Sequence, residues 1–122
     1  MTIHNGEAAL FLKEIGFTRI VLSRELSLKE IDYISNTLNL ETEVFIHGAL
    51  CICYSGQCLM SSIIGGRSGN RGRCAQPCRL PYTLIDKSTN KEHKAYILSP
   101  KDICTIDNLK EHCCKWNIFT EN

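Results

Sequence analysis

Cys51, Cys58, Cys74 and Cys78 follow the pattern C-x6-C-x15-C-x3-C, and Cys53 adds a fifth thiol two positions after the first. Two cysteine pairs on a glycine-rich loop can bring four thiolates to one point, because glycine lets the backbone turn tightly around a site. Four thiolates suit zinc or an iron-sulfur cluster. Structural zinc favours two to four residues within each pair, so the six-residue gap of the first pair tilts the spacing towards a cluster. In an extended segment Cys53 shares a face with Cys51 and stands as an alternative ligand to it.

The compartment decides what such thiols mean. The amino terminus, "MTIHNGEAAL", lacks the basic start and apolar run of a secretory signal, and no stretch approaches the roughly 20 apolar residues of a membrane span. The chain reads as cytoplasmic, with no membrane partner. In a reducing cytosol, eight cysteines point to metal or redox chemistry rather than to a disulfide framework. Cys104, Cys113 and Cys114 read as small buried hydrophobes. With 122 residues, 43% of them hydrophobic, the chain is long enough for one ordinary domain. Its net charge of +1 sets up no global field, so any polyanion must be held by a local patch.

The elements that would position these groups are legible in the pattern. "NGEAALFLKEIGF" predicts a helix capped by Asn5 and stopped at Gly16. "FTRIVLS" (17–23) reads as a strand, "SLKE" at Ser27 to Glu30 as a capping box, and Ile31, Ile34 and Leu38 as the buried face of the helix that follows. "ETEVFIHGAL" (41–50) reads as a second strand, parallel to the first, and "MTIH" as the end of another. Residues 51–81 have glycines, arginines and no sustained period, which predicts a long functional loop. Residues 82–122 read as a hairpin turning near Ser88 to Asn90, then a terminal helix capped by Ser99 and burying Ile103, Ile106 and Leu109, all in one domain with the 1–50 segment. Too few strands are present to close a barrel, so the chain reads as a fragment of a larger α/β protein.

Glu43 and His47 have the same parity on the second strand and are candidate catalytic groups near its carboxy-terminal end, with a structural ion pair as the alternative. Arg24 and Glu25 follow the first strand in a similar way. His47, four residues before Cys51, allows a thiol protease dyad to be imagined. G-x-S-x-G and H-E-x-x-H are both absent, so neither a serine nor a zinc version of that chemistry finds support.

"EVFIHGALCICYSGQCLMS" resembles the signature of peptidase family U32, the collagenase-like proteins, and "GNRGRCAQPCR" and "LSPKDIC" resemble the family's next two blocks. The resemblance runs to about His112; the tail "CCKWNIFTEN" departs from it. It implies the carboxy-terminal portion of a TIM-like (β/α) barrel carrying a cysteine-rich loop insertion. It further implies a 4Fe-4S cluster on Cys51, Cys58, Cys74 and Cys78, with zinc as the alternative, Cys53 at a variable position and Cys104 a second alternative ligand. Family members are implicated in hydroxylation of tRNA or rRNA, with prephenate linked to that pathway, and in ubiquinone hydroxylation; others carry the label of protease. Arg67, Arg71 and Arg79, with Arg73 beside them, then become candidate binders of a carboxylate such as prephenate or of RNA phosphates. Tyr54 and Tyr82 are candidate stacking residues. Three functions follow as expectations: RNA hydroxylation in the intact relatives, a peptidase, or a non-catalytic cluster-binding remnant completed by a complementary barrel chain.

Overall fold

The computed structural model describes residues 3–108. The chain divides into two units, one formed by the residues up to Leu50 with those from Asp102 onward, the other by Cys51–Lys101.

In the first unit local chemistry sets the element ends. Asn5 Oδ1 accepts the Ala8 N–H at 2.8 Å and opens helix α1 (Gly6–Glu14); the chain leaves it through Gly16, whose φ of +100° favours a residue without a β-carbon. Strand β1 (Arg19–Val21) follows. Helix α2 (Leu28–Asp32) starts on a complete capping box: the Glu30 carboxylate accepts from the Ser27 hydroxyl and amide, and Ser27 Oγ accepts the Glu30 N–H. The hydroxyl bond above all, then the amide bond, holds the Glu30 carboxyl below its ordinary range. One wide turn in π geometry, Tyr33–Thr37, extends this helix and ends as the Leu38 N–H reaches Tyr33 O. Strand β2 (Glu41–Glu43) then lies parallel to β1 as the spacing predicts, and Ile3 bridges in parallel to Leu22, so three parallel segments stand side by side.

Ala9, Ile20, Leu22, Ile31, Ile34 and Val44 form the centre of the core, with Leu26, Leu40 and Ile46 around them. Ser35 and Thr42 are buried beside it and their hydroxyls bond each other at 2.6 Å. A buried hydroxyl left without a partner carries its desolvation cost. Thr42→Val is therefore expected to lower stability by about 1–3 kcal/mol, and the double change Ser35→Ala/Thr42→Val to restore most of it. A urea-unfolding cycle of the four proteins checks this; additive losses would contradict it.

Beyond β2 the inward alternation continues through Val44 and Ile46, but the pairing with β1 ends. The predicted second strand over 41–50 is thus two strands, β2 and the short β3 (His47–Gly48).

The second unit is less open than a structureless loop over 51–81. Helix α3 (Met60–Gly65) ends at Gly66 in the left-handed region, and single 3-10 turns form at Gly69–Arg71 and Pro77–Arg79. Strands β4 (Tyr82–Ile85) and β5 (Glu92–Ala95) make the predicted hairpin, Tyr82 opposite Ala95 and Ile85 opposite Glu92. Asp86 builds its turn, accepting from the Ser88 hydroxyl, the Thr89 hydroxyl and the Ser88 amide, and these bonds in that order pull its carboxyl well below the ordinary range. A carboxyl lowered by folding contributes fully above its unfolded pKa, and that contribution is lost as pH falls through the folded value. Asp86→Asn is accordingly expected to weaken amide protection of the hairpin at about pH 6 and to make progressively less difference below about pH 4. Hydrogen exchange of both proteins measures it, and a pH-independent difference would refute it.

The last described strand is β6 (Ile103–Cys104). It pairs antiparallel with β3, Cys104 opposite His47 and Ile103 opposite Gly48, and the Thr105 N–H reaches Ile46 O at 2.8 Å. This corrects the helix expected from Ser99 onward. The hydroxyl cast as its cap accepts from the Arg79 guanidinium at 2.8 Å, and Pro100 O accepts from the same nitrogen at 2.6 Å, so the first turn's amides lose their capping oxygen. Ile106 lies in a single 3-10 turn, Ile106–Asn108, and is half exposed; Leu109 lies outside the described residues. The described residues form a mixed helix-and-strand α/β structure in which no closed barrel is seen. Among them no helix is long and apolar enough to cross a membrane.

Candidate functional site

The cysteine segments are shaped by backbone conformations that few residues tolerate. Gly48, at φ +142°, takes the chain out of β3 towards Cys51. Tyr54 to Gln57 form a turn closed by the Gln57 N–H on Tyr54 O at 3.1 Å, with Gly56 at φ +77°, and Cys58 follows directly. The second pair is shaped differently. Gln76, between Cys74 and Cys78, is left-handed at φ +53°, and Pro77 then opens the short turn that carries Cys78. Ser61, buried in α3, holds this segment by accepting the Ala75 N–H at 3.0 Å. Cys74 Sγ accepts the Gln76 N–H at 3.3 Å.

Cys51, Cys53, Cys58, Cys74 and Cys78 belong to the second unit and Cys104 to the first, and none of the six is in a disulfide. Cys51 and Cys74 are exposed, and Cys53, Cys58 and Cys78 are half-buried. Cys104 is exposed, not the buried hydrophobe expected; Cys113 and Cys114 lie outside the described residues. Among the described residues no three His, Cys, Asp or Glu side chains stand close enough to share a metal ion. The donor set nonetheless fits a thiolate-bound metal in kind and number: reduced sulfurs, none of them fully buried, one already receiving a backbone amide.

Glu43 and His47 lie on the less buried side of the 42–47 alternation, Glu43 half-buried and His47 exposed. They belong to different strand pairs, and no hydrogen bond joins them among the described residues. Arg67, Arg71 and Arg73 are exposed on one tight loop, where Ser68 O accepts the amides of Arg71 and Arg73 and Arg67 Nε donates to Arg73 O at 3.0 Å. Arg79, in contrast, is turned inward onto Ser99 and Pro100 and acts as a bracket. Of the two candidate stacking tyrosines, Tyr82 is half-buried with its hydroxyl donating to Pro77 O at 3.0 Å, while Tyr54 is 63% exposed.

The Arg24 guanidinium stacks 4.3 Å from the Phe45 ring centroid and donates to Ala49 O at 2.7 Å, so it ties the residues just after β1 to the segment before Cys51, a tie that the sequence reading did not name. Beside it lies a cavity of about 210 Å³ lined mainly by Leu26, Leu28, Ile31, Val44 and Ile103. That volume is below the usual range of ligand sites.

Comparison with known proteins agrees with the sequence blocks. The chain is 50% identical over 108 residues to the 23S rRNA 5-hydroxycytidine synthase of Escherichia coli (strain K12), covering 88% of this chain and 16% of that protein. It is 38% identical over 115 residues to a tRNA hydroxylation protein of Bacillus subtilis (strain 168), covering 88% and 27%. It is also 38% identical over 120 residues to a collagenase of Porphyromonas gingivalis (strain ATCC BAA-308 / W83), covering 87% and 29%. The chain therefore spans less than a third of the length of each of these relatives. No solved structure matches it. The defining pattern of one family covers residues 1–113, and on that match the chain belongs to peptidase family U32.

Proposed function

We propose that this chain is the cysteine-bearing portion of a cytoplasmic, RNA-hydroxylating U32 protein and that Cys51, Cys58, Cys74 and Cys78 hold a 4Fe-4S cluster. The observation that carries the reading is the set of reduced thiols on the turned segments of one unit, in a chain half identical to an rRNA hydroxycytidine synthase. Metal binding and local folding are coupled, so the thiols converge as the metal binds. When bound, such a cluster supplies one-electron chemistry. The protein's own groups do the rest. The Gln76 amide orients the Cys74 sulfur, Ser61 fixes the loop that bears it, and Arg67 and Arg71 offer guanidinium forks to a carboxylate such as prephenate or to RNA phosphates. The three parallel segments belong, in this reading, to the carboxy-terminal portion of a (β/α) barrel completed by further strands of the parent protein or of a complementary chain.

Anaerobic purification followed by iron, acid-labile sulfide and absorption measurements tests the cluster. About four irons per chain, lost in Cys74→Ser/Cys78→Ser, is the expected result. A folded chain that holds zinc, or no metal, overturns it.

One observation favours a second reading, the peptidase. The β3–β6 pairing sets the exposed Cys104 directly across from the exposed His47, and opposed β-carbons stand about 5 Å apart. Gelatin cleavage abolished by Cys104→Ser, with metal content unchanged, would select it.

A further inference from the structure

The whole-chain charge of +1 conceals a partition. The Cys51–Lys101 unit carries eight lysines and arginines against Asp86 and Glu92, a net +6, while the other residues carry six against eleven acids, a net −5. One of the second unit's two acids is already engaged, since Asp86 is held in its own turn by Ser88 and Thr89. Three of its lysines, Lys87, Lys91 and Lys94, stand on the β4–β5 hairpin, which is exposed along both strands except at Tyr82. Lys87 and Lys91 flank the turn, and Lys91 O accepts the Asp86 N–H at 3.0 Å, so they are carried on ordered backbone. Immediately after β5, Tyr96 is 64% exposed.

Each part of this surface has a counterpart in RNA. Ammonium groups act as strongly hydrated point charges that pair with phosphate without reading sequence. An exposed tyrosine gives an unpaired base a stacking platform. We propose that the Tyr82–Ala95 hairpin and Tyr96 form an RNA-holding surface, with Lys87, Lys91 and Lys94 on phosphates and Tyr96 stacked on an unpaired base. The proposal rests on the RNA reading above and adds to it a surface made of residues other than the cysteines and Arg67, Arg71 and Arg79.

The test is equilibrium binding of the full chain to a labelled single-stranded RNA of about 20 nucleotides across a salt series. Lys87→Gln/Lys91→Gln/Lys94→Gln is expected to make the slope of log K against log salt shallower by about 2, at roughly 0.7 per phosphate contact on a single strand. Tyr96→Ala is expected to weaken binding about tenfold with the slope unchanged. Lys29→Gln, in the acidic unit, serves as the control with unchanged binding, and circular dichroism verifies that each variant is folded. Wild-type binding with an unaltered slope in the triple variant overturns the surface and leaves the RNA reading standing. Absence of wild-type binding at low salt removes both. Phosphatidylserine vesicles that bind as tightly as RNA, with the same dependence on the three lysines, overturn RNA as the partner.

Discussion

Leu22→Ala is expected to cost about 3–5 kcal/mol and to lower the urea midpoint of the first unit sharply. Leu22 is fully buried, its amide donates to Glu43 O at 2.9 Å, and Ile3 bridges to it from the other side, so it lies where the three parallel segments meet. Removing its side chain leaves a void that Ile34, itself 1% exposed, has little freedom to fill. Among the described residues the buried apolar core contains nine side chains, and a domain's whole stability is about 5–15 kcal/mol, so a loss of this size is a large part of the total. Leu22→Met, which conserves volume, is expected to cost less than about 1.5 kcal/mol. Urea unfolding followed by far-ultraviolet circular dichroism distinguishes the pair. Equal midpoints for the two variants would show that Leu22 is not a packing centre.

Arg24→Ala is the second large effect, at about 2–4 kcal/mol, because it removes a charged hydrogen bond and a half-buried cation–π stack in one step. Arg24 Nε is buried with no hydrogen-bond partner, a cost that the alanine variant relieves, so the loss of the Phe45 and Ala49 interactions is partly offset. Arg24→Lys is expected to recover little, because an ammonium does not reproduce the planar stack. Ala49 lies two positions before Cys51. On the cluster proposed above, the variant should consequently load less iron than wild type at equal protein concentration, even where it remains folded. Thermal unfolding combined with iron analysis reads both consequences. Full iron occupancy at a lowered melting temperature would confine Arg24 to stability.

Features whose causes lie close together in sequence were readable from the residues. The Asn5 cap, the Ser27–Glu30 box, the Gly16 exit and the Asp86–Lys91 turn each depend on groups a few positions apart, and all form as their residue types require. The parallel run of β1 and β2 was equally legible, because a strand, a capped helix and a second strand leave few other arrangements. Residues 99–104 were not. Ser99-Pro100 is a sound helix start when read alone, but Arg79, 20 residues earlier, takes the Ser99 hydroxyl, and β3, more than 50 residues earlier, takes Ile103 and Cys104. The acid–base partition was also hidden, since charge counted over the whole chain cancels what charge counted by unit displays. For the cysteines, spacing named candidate donors but not a meeting point, and among the described residues no three of them stand close enough to share a metal ion.

The β3–β6 pair has a consequence for how the protein is assembled and how it could be taken apart. Antiparallel neighbours are ordinarily joined by a short turn, yet here the whole Cys51–Lys101 unit stands between Gly48 and Ile103. Closing so long a loop costs about 2 kcal/mol more in chain entropy than closing a four-residue turn. Strand β6 is thus a late and easily displaced partner unless the intervening unit folds first and draws its own ends together. The same topology makes that unit a cassette: a short turn linking Gly48 to Ile103 would excise its five thiols and the basic hairpin in one cut while giving β6, with Cys104, a faster route to its place beside β3.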